Sequence, residues 1–291
     1  MTQAKAGKIA RGSDGADVLR RIYRRSPLRR ILKVDRDHRG LTEKDVFVAS
    51  YPRSGNAWLR FLLLEMTGRR SGFDTAYDEV PYVGAQAGAP SLVPGGGRLI
   101  KTHEPYLPVY RRAIHLVRDP RDIVVSYFRY MQRVEQIVVL ATDDERASFD
   151  HFVDAFVDGR ADAHGTWQTH LDSWLDAARN GRCAVLRVRY EDLRADPQAH
   201  VMEIGRWLGL DISAGRAAEV VEICSLERMR AAEREAMRST PHVVPRAARH
   251  SGISLLGQGA VEGWRQVLTS RQQRRFEAFD RGLLEMGYDP A

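Results

Sequence analysis

The chain has 291 residues, 43% hydrophobic and 29% charged, with a formal charge of +7. That length suits one large α/β domain or two smaller ones, and the composition is globular. No apolar run reaches the ~18 residues of a transmembrane helix, and the first ten residues lack the apolar centre of a signal peptide.

The charge is uneven. Residues 1–44 hold 13 Lys and Arg against 5 Asp and Glu, whereas the remainder holds 32 against 33. A nucleic-acid enzyme shows a basic stripe on its folded body. Here the body is near neutral and the excess sits in an arm, so no nucleic-acid partner is expected. Cys183 and Cys224 are far apart, flanked by apolar residues and without metal-ligand spacing. They are expected as buried reduced thiols, which suits a cytoplasmic protein.

Residues 1–14 are small, polar and Gly-containing, a composition that predicts disorder. Over 15–33, Val18, Leu19 and Ile22 alternate with Arg20, Arg21, Arg24 and Arg25 until Pro27 interrupts the pattern. This is a basic amphipathic helix. It is suited either to packing with a solvated basic face or to touching an anionic membrane surface or acidic partner. The arm, 1–44, is set apart from one domain over 45–291.

Val46–Ser50 reads as a strand, Tyr51–Asn56 as a tight polar turn, and Trp58 onward as a helix. A helix N-terminus aimed at such a turn is an anion site. Gly55 permits close backbone approach, and Arg53 adds a cation. The plainer reading is a βα turn capped by Ser54 or Asn56.

Residues 68–97 are rich in loop formers and carry Tyr77 and Tyr82, as expected of a lid over an acceptor. The run Gly95–Gly97 precedes a strand, so it is not a phosphate loop. Leu99–Lys101 is a short strand that places His103 at a carboxyl end, where open parallel sheets bind ligands. A histidine there is a natural base near neutral pH, and Lys101, two residues away, shares its face.

A buried parallel strand follows from Ala113, ending at Arg118, and Pro120 opens a helix. Arg118 and Ser126, two turns into that helix, can reach one anion; the alternative for Arg118 is a salt bridge to Asp119 or Asp122. His115, mid-strand, reads as a packing histidine. Trp167, Leu171, Trp174, Leu175 and Ala178 form the buried stripe of a helix. A fourth strand runs over 183–190 and a helix starts near Pro197. The segment 216–235 is predicted helical, 236–262 a long loop, and 270–286 a final helix. The order predicts an α/β fold: a single domain with a central parallel sheet flanked by helices.

Taken together and in order, these segments resemble the sulfotransferases that use 3′-phosphoadenosine 5′-phosphosulfate (PAPS). Tyr51–Trp58 is similar to their 5′-phosphosulfate loop, Lys101-Thr102-His103 to their catalytic histidine segment, and Arg118–Ser126 to their 3′-phosphate site. Tyr190-Glu191-Asp192 matches a further segment, and Cys224-Ser225-Leu226 falls where the family has a turn near the nucleotide. The resemblance spans roughly 45–285 and implies a P-loop-like fold.

It also implies roles. Arg53 neutralises charge on the transferred group, while Ser54, Gly55, Asn56 and Ala57 line the 5′-phosphate. Trp58 stacks on adenine, Tyr190 contacts it, and Arg118 and Ser126 hold the 3′-phosphate. His103 is the general base and Lys101 steadies the same oxygens. PAP is the product, no metal is required, and the acceptor is a small molecule or glycan. Tyr77, Tyr82, Phe128 and Tyr130 are candidates to line its site.

The departures are specific. Ala57 replaces a Thr hydroxyl. The late Arg-Lys-Gly element falls at Gly257-Gln258-Gly259, where only Gly259 matches, with Arg246 or Arg249 as possible substitutes. The family's dimerisation segment after Trp264 is poorly matched, which leaves the oligomeric state open. The rivals are a nucleotide kinase or NTPase, disfavoured by the lack of a Gly-x-x-x-x-Gly-Lys-Ser/Thr loop, and a non-catalytic nucleotide fold that binds through its basic arm.

Overall fold

The computed structural model describes residues 34–134, 145–239 and 256–290. The chain divides into two compact units, Met1–Arg39 and Gly40–Ala291. Of the first, 34–39 is described, a helical turn in which Arg39 reaches Asp35 at 3.2 Å. The expectations for 1–14 and 15–33 lie outside the described residues.

The second unit is organised on β1 (Val46–Ser50), β2 (Leu99–Thr102), β3 (Arg112–Val117) and β4 (Ala184–Arg189). They pair in parallel in the order β2-β1-β3-β4. All five β1 residues are buried, which is why the run carries no polar alternation. Val46 and Val48 face a core shared with Leu59, Leu62 and Leu63. Phe47 and Ala49 face another with Tyr110 and Trp174.

From β1 the chain enters α1 (Asn56–Met66) and α2 (Phe73–Glu79) and reaches β2 on one side. It then crosses to β3 on the other. The order reverses between β1 and β3, so a crevice opens beyond their carboxyl ends. The remaining helices are α3 (Pro120–Val134), α4 (Glu145–Val157), α5 (Trp167–Arg179), α6 (Tyr190–Ala195), α7 (Pro197–Leu208), α8 (Ala214–Ile223), α9 (Leu226–Ser239), α10 (Ser270–Arg274) and α11 (Asp280–Glu285).

Four expectations need correction. The helix predicted over 216–235 is two helices, the second of which continues to Ser239, into the loop predicted over 236–262. The chain breaks at Cys224-Ser225, and the Ser225 hydroxyl accepts the Arg228 N–H at 3.5 Å, restarting the helix as an N-cap does. The helix predicted over 270–286 tightens to 3₁₀ over Arg275–Phe279. This sets Phe276 and Phe279 into one core patch, with ring centroids 5.9 Å apart. On α5, Ala177 is buried and Ala178 is exposed. The 68–97 lid is less irregular than expected: besides α2, residues 81–83 extend the sheet edge. There the Lys101 N–H donates to Pro81 and the Val83 N–H donates back to Lys101, at 2.8 and 2.9 Å.

Gly97 lies where a Cβ would sit 2.1 Å from the Lys44 carbonyl, so that glycine serves a chain crossing. His115 is buried against His170 and Trp174, and burial pushes it down to about 3. Cys183 and Cys224 are free and buried. Among the described residues, no helix is long and apolar enough to cross a membrane.

Candidate functional site

The β1–α1 turn is shaped by two left-handed residues, Arg53 with φ 68° and Gly55 with φ 99°. Gly55 is required twice over, since a Cβ there would also lie 2.6 Å from the Tyr190 ring. The N–H groups of Asn56 and Ala57 open α1 and have no intrahelical acceptor, so they and the helix dipole face the crevice. The Ser54 hydroxyl donates to the Tyr51 carbonyl at 2.8 Å and is fully buried. Asn56 Nδ2 donates to the Val48 carbonyl and Ser50 Oγ at 3.1 and 3.0 Å. These two side chains therefore brace the turn on β1, and what they present to an anion is backbone. Ala57 lines the cavity with a methyl group.

His103 follows β2. Its Nδ1 lies 2.7 Å from the Ser50 carbonyl and 3.3 Å from Ser50 Oγ. A carbonyl can only accept, so Nδ1 carries the hydrogen and Nε2 keeps its lone pair. Burial, with Lys101 and His164 nearby, holds the imidazole well below its ordinary range. It is thus neutral and able to take a proton. Helix α5 fixes this segment: Trp174 Nε1 donates to the Glu104 carbonyl at 3.3 Å, and Ser173 Oγ accepts the Tyr106 N–H at 2.9 Å.

Lys101 Nζ lies 4.0 Å from the centre of the Tyr82 ring. Burial and the guanidiniums of Arg60 and Arg53 push its ammonium well below the usual lysine range. Arg53 Nε donates to Ser126 Oγ at 3.4 Å, and its guanidinium covers the Tyr130 ring at 4.5 Å.

At the end of β3, Arg118 is held from several sides. Nη1 donates to the Arg53 carbonyl at 3.2 Å and Nη2 to the Ala260 carbonyl at 2.7 Å. Asp122 is 3.9 Å away, and the Tyr190 ring centre 4.5 Å. Asp119, the other candidate partner, pairs with Arg121 at 2.7 Å instead. Burial pushes Asp122 up to about 6 despite Arg118. Its carboxylate accepts the Glu262 and Trp264 N–H groups at 2.8 and 2.9 Å, tying 256–264 across the site.

On the far wall, Trp58 Nε1 donates to the Cys224 carbonyl at 3.0 Å, and its ring meets Tyr190 edge-on at 6.0 Å. Leu226 and Gly259 complete this wall. A Cβ at Gly259 would lie 3.3 Å from the Tyr190 hydroxyl.

One cavity of about 660 Å³ is lined by every sequence-predicted site residue except Ser54. Tyr77, Tyr82 and Tyr130 also line it, whereas Phe128 packs on Phe149 and Phe152. Arg246 and Arg249 lie outside the described residues.

Among the lining residues that sequence reasoning missed are Arg60, His164, Gly257 and, in an adjoining cavity of about 150 Å³, Arg129. Arg129 stands three residues after Ser126, and its Nη1 donates to Gln258 at 2.8 Å. The signal for it was helical spacing, i and i+3 on one face. Arg60 carried the same signal relative to Asn56 at i+4.

A model of the sulfotransferase domain matches residues 43–285. Mouse sulfotransferase 1A1 is 22% identical over 253 residues, covering 80% of this chain and 82% of that protein. Cytosolic sulfotransferase 17 of Arabidopsis thaliana is 27% identical over 268 residues, covering 83% and 73%. Among solved structures, a mouse sulfotransferase complexed with PAP superposes with a TM-score of 0.62 at 21% identity, covering 87% and 90% of the two chains. A retinol dehydratase in complex with retinol and PAP gives 0.67 at 17%, covering 87% and 85%. At these identities the structures share the fold.

Proposed function

This chain belongs to the sulfotransferase family, and on that premise we propose that it transfers a sulfuryl group from PAPS to a hydroxyl or amine of a small-molecule or glycan acceptor. Residues 45–291 carry the activity. The cavity's donor set fits such a co-substrate. The α1 N-terminus and Arg53 suit the phosphosulfate, Arg118 and Ser126 a second phosphate, and Trp58 and Tyr190 a base between them. Gly257 and Gly259 keep the overlying chain clear, since a Cβ at Gly257 would lie 3.3 Å from Ser126 Oγ. Arg129, on the same helix face as Ser126 and bonded to Gln258, adds a cation beside that second phosphate.

PAPS supplies the activated sulfuryl group. His103 Nε2 removes the acceptor proton as the new bond to sulfur forms and the bond from sulfur to the 5′-phosphate oxygen breaks. The electron pair leaves on that oxygen, where Arg53, Lys101 and the first-turn N–H groups offset the charge. The Ser50 carbonyl supports the rising charge on the imidazole by accepting its Nδ1 hydrogen. The observation that carries this reading is the 2.7 Å contact of His103 Nδ1 with the Ser50 carbonyl, which leaves Nε2 as the basic nitrogen beside a cation-lined crevice.

Thermal unfolding with saturating nucleotide tests it. PAP raises the melting temperature by ligand linkage, and ATP at equal concentration raises it less. Equal stabilisation by both, or none, counts against the reading.

A further inference from the structure

The cavity holds one buried cation that the transfer step leaves unused. Arg60, one turn into α1, is 3% exposed, and its Nε and Nη2 are buried without a hydrogen-bond partner. Its guanidinium lies over the Tyr77 ring at 5.1 Å, and it lines the cavity beside Tyr82 and Lys101. Among the described residues, no carboxylate forms an ion pair with Arg60 or Lys101. Glu233, which acts on Tyr77, accepts the Leu256 N–H at 3.3 Å.

A buried charge without a partner is costly, and proteins keep one where a ligand completes it. Arg60 stands apart from the Arg118 site. Arg118 acts on Arg53 but not on Arg60, and Arg60 sits with Lys101 among the tyrosines of the 68–97 segment. His103 faces the same tyrosines, its ring centroid 5.5 Å from that of Tyr82, so an acceptor presented to His103 lies on that side. Two orphaned donors on one planar guanidinium match the two oxygens of a carboxylate, and the flanking phenol rings suit an aromatic or other flat body.

We propose that the acceptor carries an anionic group, of the carboxylate kind, beside the group it presents to sulfur, and that Arg60 recognises it. This rests on the sulfotransferase reading and names its substrate class.

The test uses two phenols that differ by one carboxylate, 4-hydroxyphenylacetate and 4-methylphenol. Each is titrated by calorimetry into full-length protein saturated with PAP. The carboxylate binds at least about tenfold more tightly, the size of one charge-assisted contact. Arg60→Met removes that difference and leaves PAP affinity unchanged, and Arg60→Lys restores part of it. Arg60→Met also unfolds at no lower temperature than the wild type, which shows that the loss is one of recognition. If 4-hydroxyphenylacetate binds no better than 4-methylphenol, or neither binds, the inference is wrong. The same is true if Arg60→Met keeps the preference. Titration of PAP alone into the same protein reports separately: failure of PAP to bind overturns the sulfotransferase reading itself.

Discussion

Two buried arginines line the cavity, and their surroundings differ. Arg118 has both η nitrogens on backbone carbonyls and Asp122 at 3.9 Å, with Nε alone unpartnered. Arg60 has a tyrosine face and two orphaned nitrogens. Arg118 is part of the protein's own framework, linking the turn after β1, the turn after β3 and the segment at Ala260. Its geometry exists before any ligand arrives, so little ordering is left for binding to offset. Arg60 holds its charge in a low-dielectric wall with nothing opposite. One is preorganised; the other is incomplete until an anion fills it.

The largest expected effect falls on the base rather than on either arginine. His103→Ala lowers kcat by about 10²- to 10⁴-fold, the range of a general base, and leaves PAP affinity nearly unchanged by calorimetry. Normal turnover by this variant would remove His103 from the mechanism.

The arginines themselves come next. Arg118→Met leaves Asp122 buried without its cation and costs about 3–5 kcal/mol in urea unfolding. Arg60→Met removes an uncompensated charge and costs nothing, raising stability by about 1 kcal/mol. The opposite signs are the comparison in thermodynamic form, and equal destabilisation would erase it.

Proton uptake follows. Lys101 is held below its ordinary range by burial and by Arg60 and Arg53, so its charged form is disfavoured before ligand binds. An anion beside it reverses the shift and draws a proton onto the amine. Calorimetry of PAP in buffers of different ionisation enthalpy should show net uptake of up to about one proton per site, and net release would contradict it. His103 is likewise held below its usual 6.5. The base stays unprotonated to lower pH, so the acid limb of kcat/KM lies below that value.

The smallest effect is steric. Gly257→Ala places a Cβ 3.3 Å from Ser126 Oγ and 3.7 Å from Arg53 Nη2. Those are ends of side chains that can give, so PAP binding weakens by less than about tenfold.

Much of this was legible in the chain. A strand without polar alternation, a turn with Gly55 and an apolar helix announce a βα unit. His103 and Arg118 stand at strand ends because sequence order puts them there. The resemblance to PAPS-dependent sulfotransferases rests on those same short stretches. The break at Ser225 was also written locally, in a capping residue that helical periodicity outweighed.

Other features depend on residues far apart in sequence. Trp167 and Trp174 read as a packing stripe, yet their indole N–H groups hold the Arg118 carbonyl at 3.2 Å and the Glu104 carbonyl at 3.3 Å. One helix thereby positions both Arg118 and the segment that follows His103.

By itself, then, the sequence determined the class of fold, the strand ends that carry chemistry and the residue types placed there. Each follows from spacing within about ten residues, where backbone geometry leaves few choices. Tertiary structure alone decided which of the many arginines lack a partner. An arginine's partners come from other elements, so Arg118 became framework and Arg60 was left open only when β2, α1 and the 68–97 segment closed around the crevice. The tautomer of His103 was decided the same way, by a carbonyl 53 residues away at Ser50.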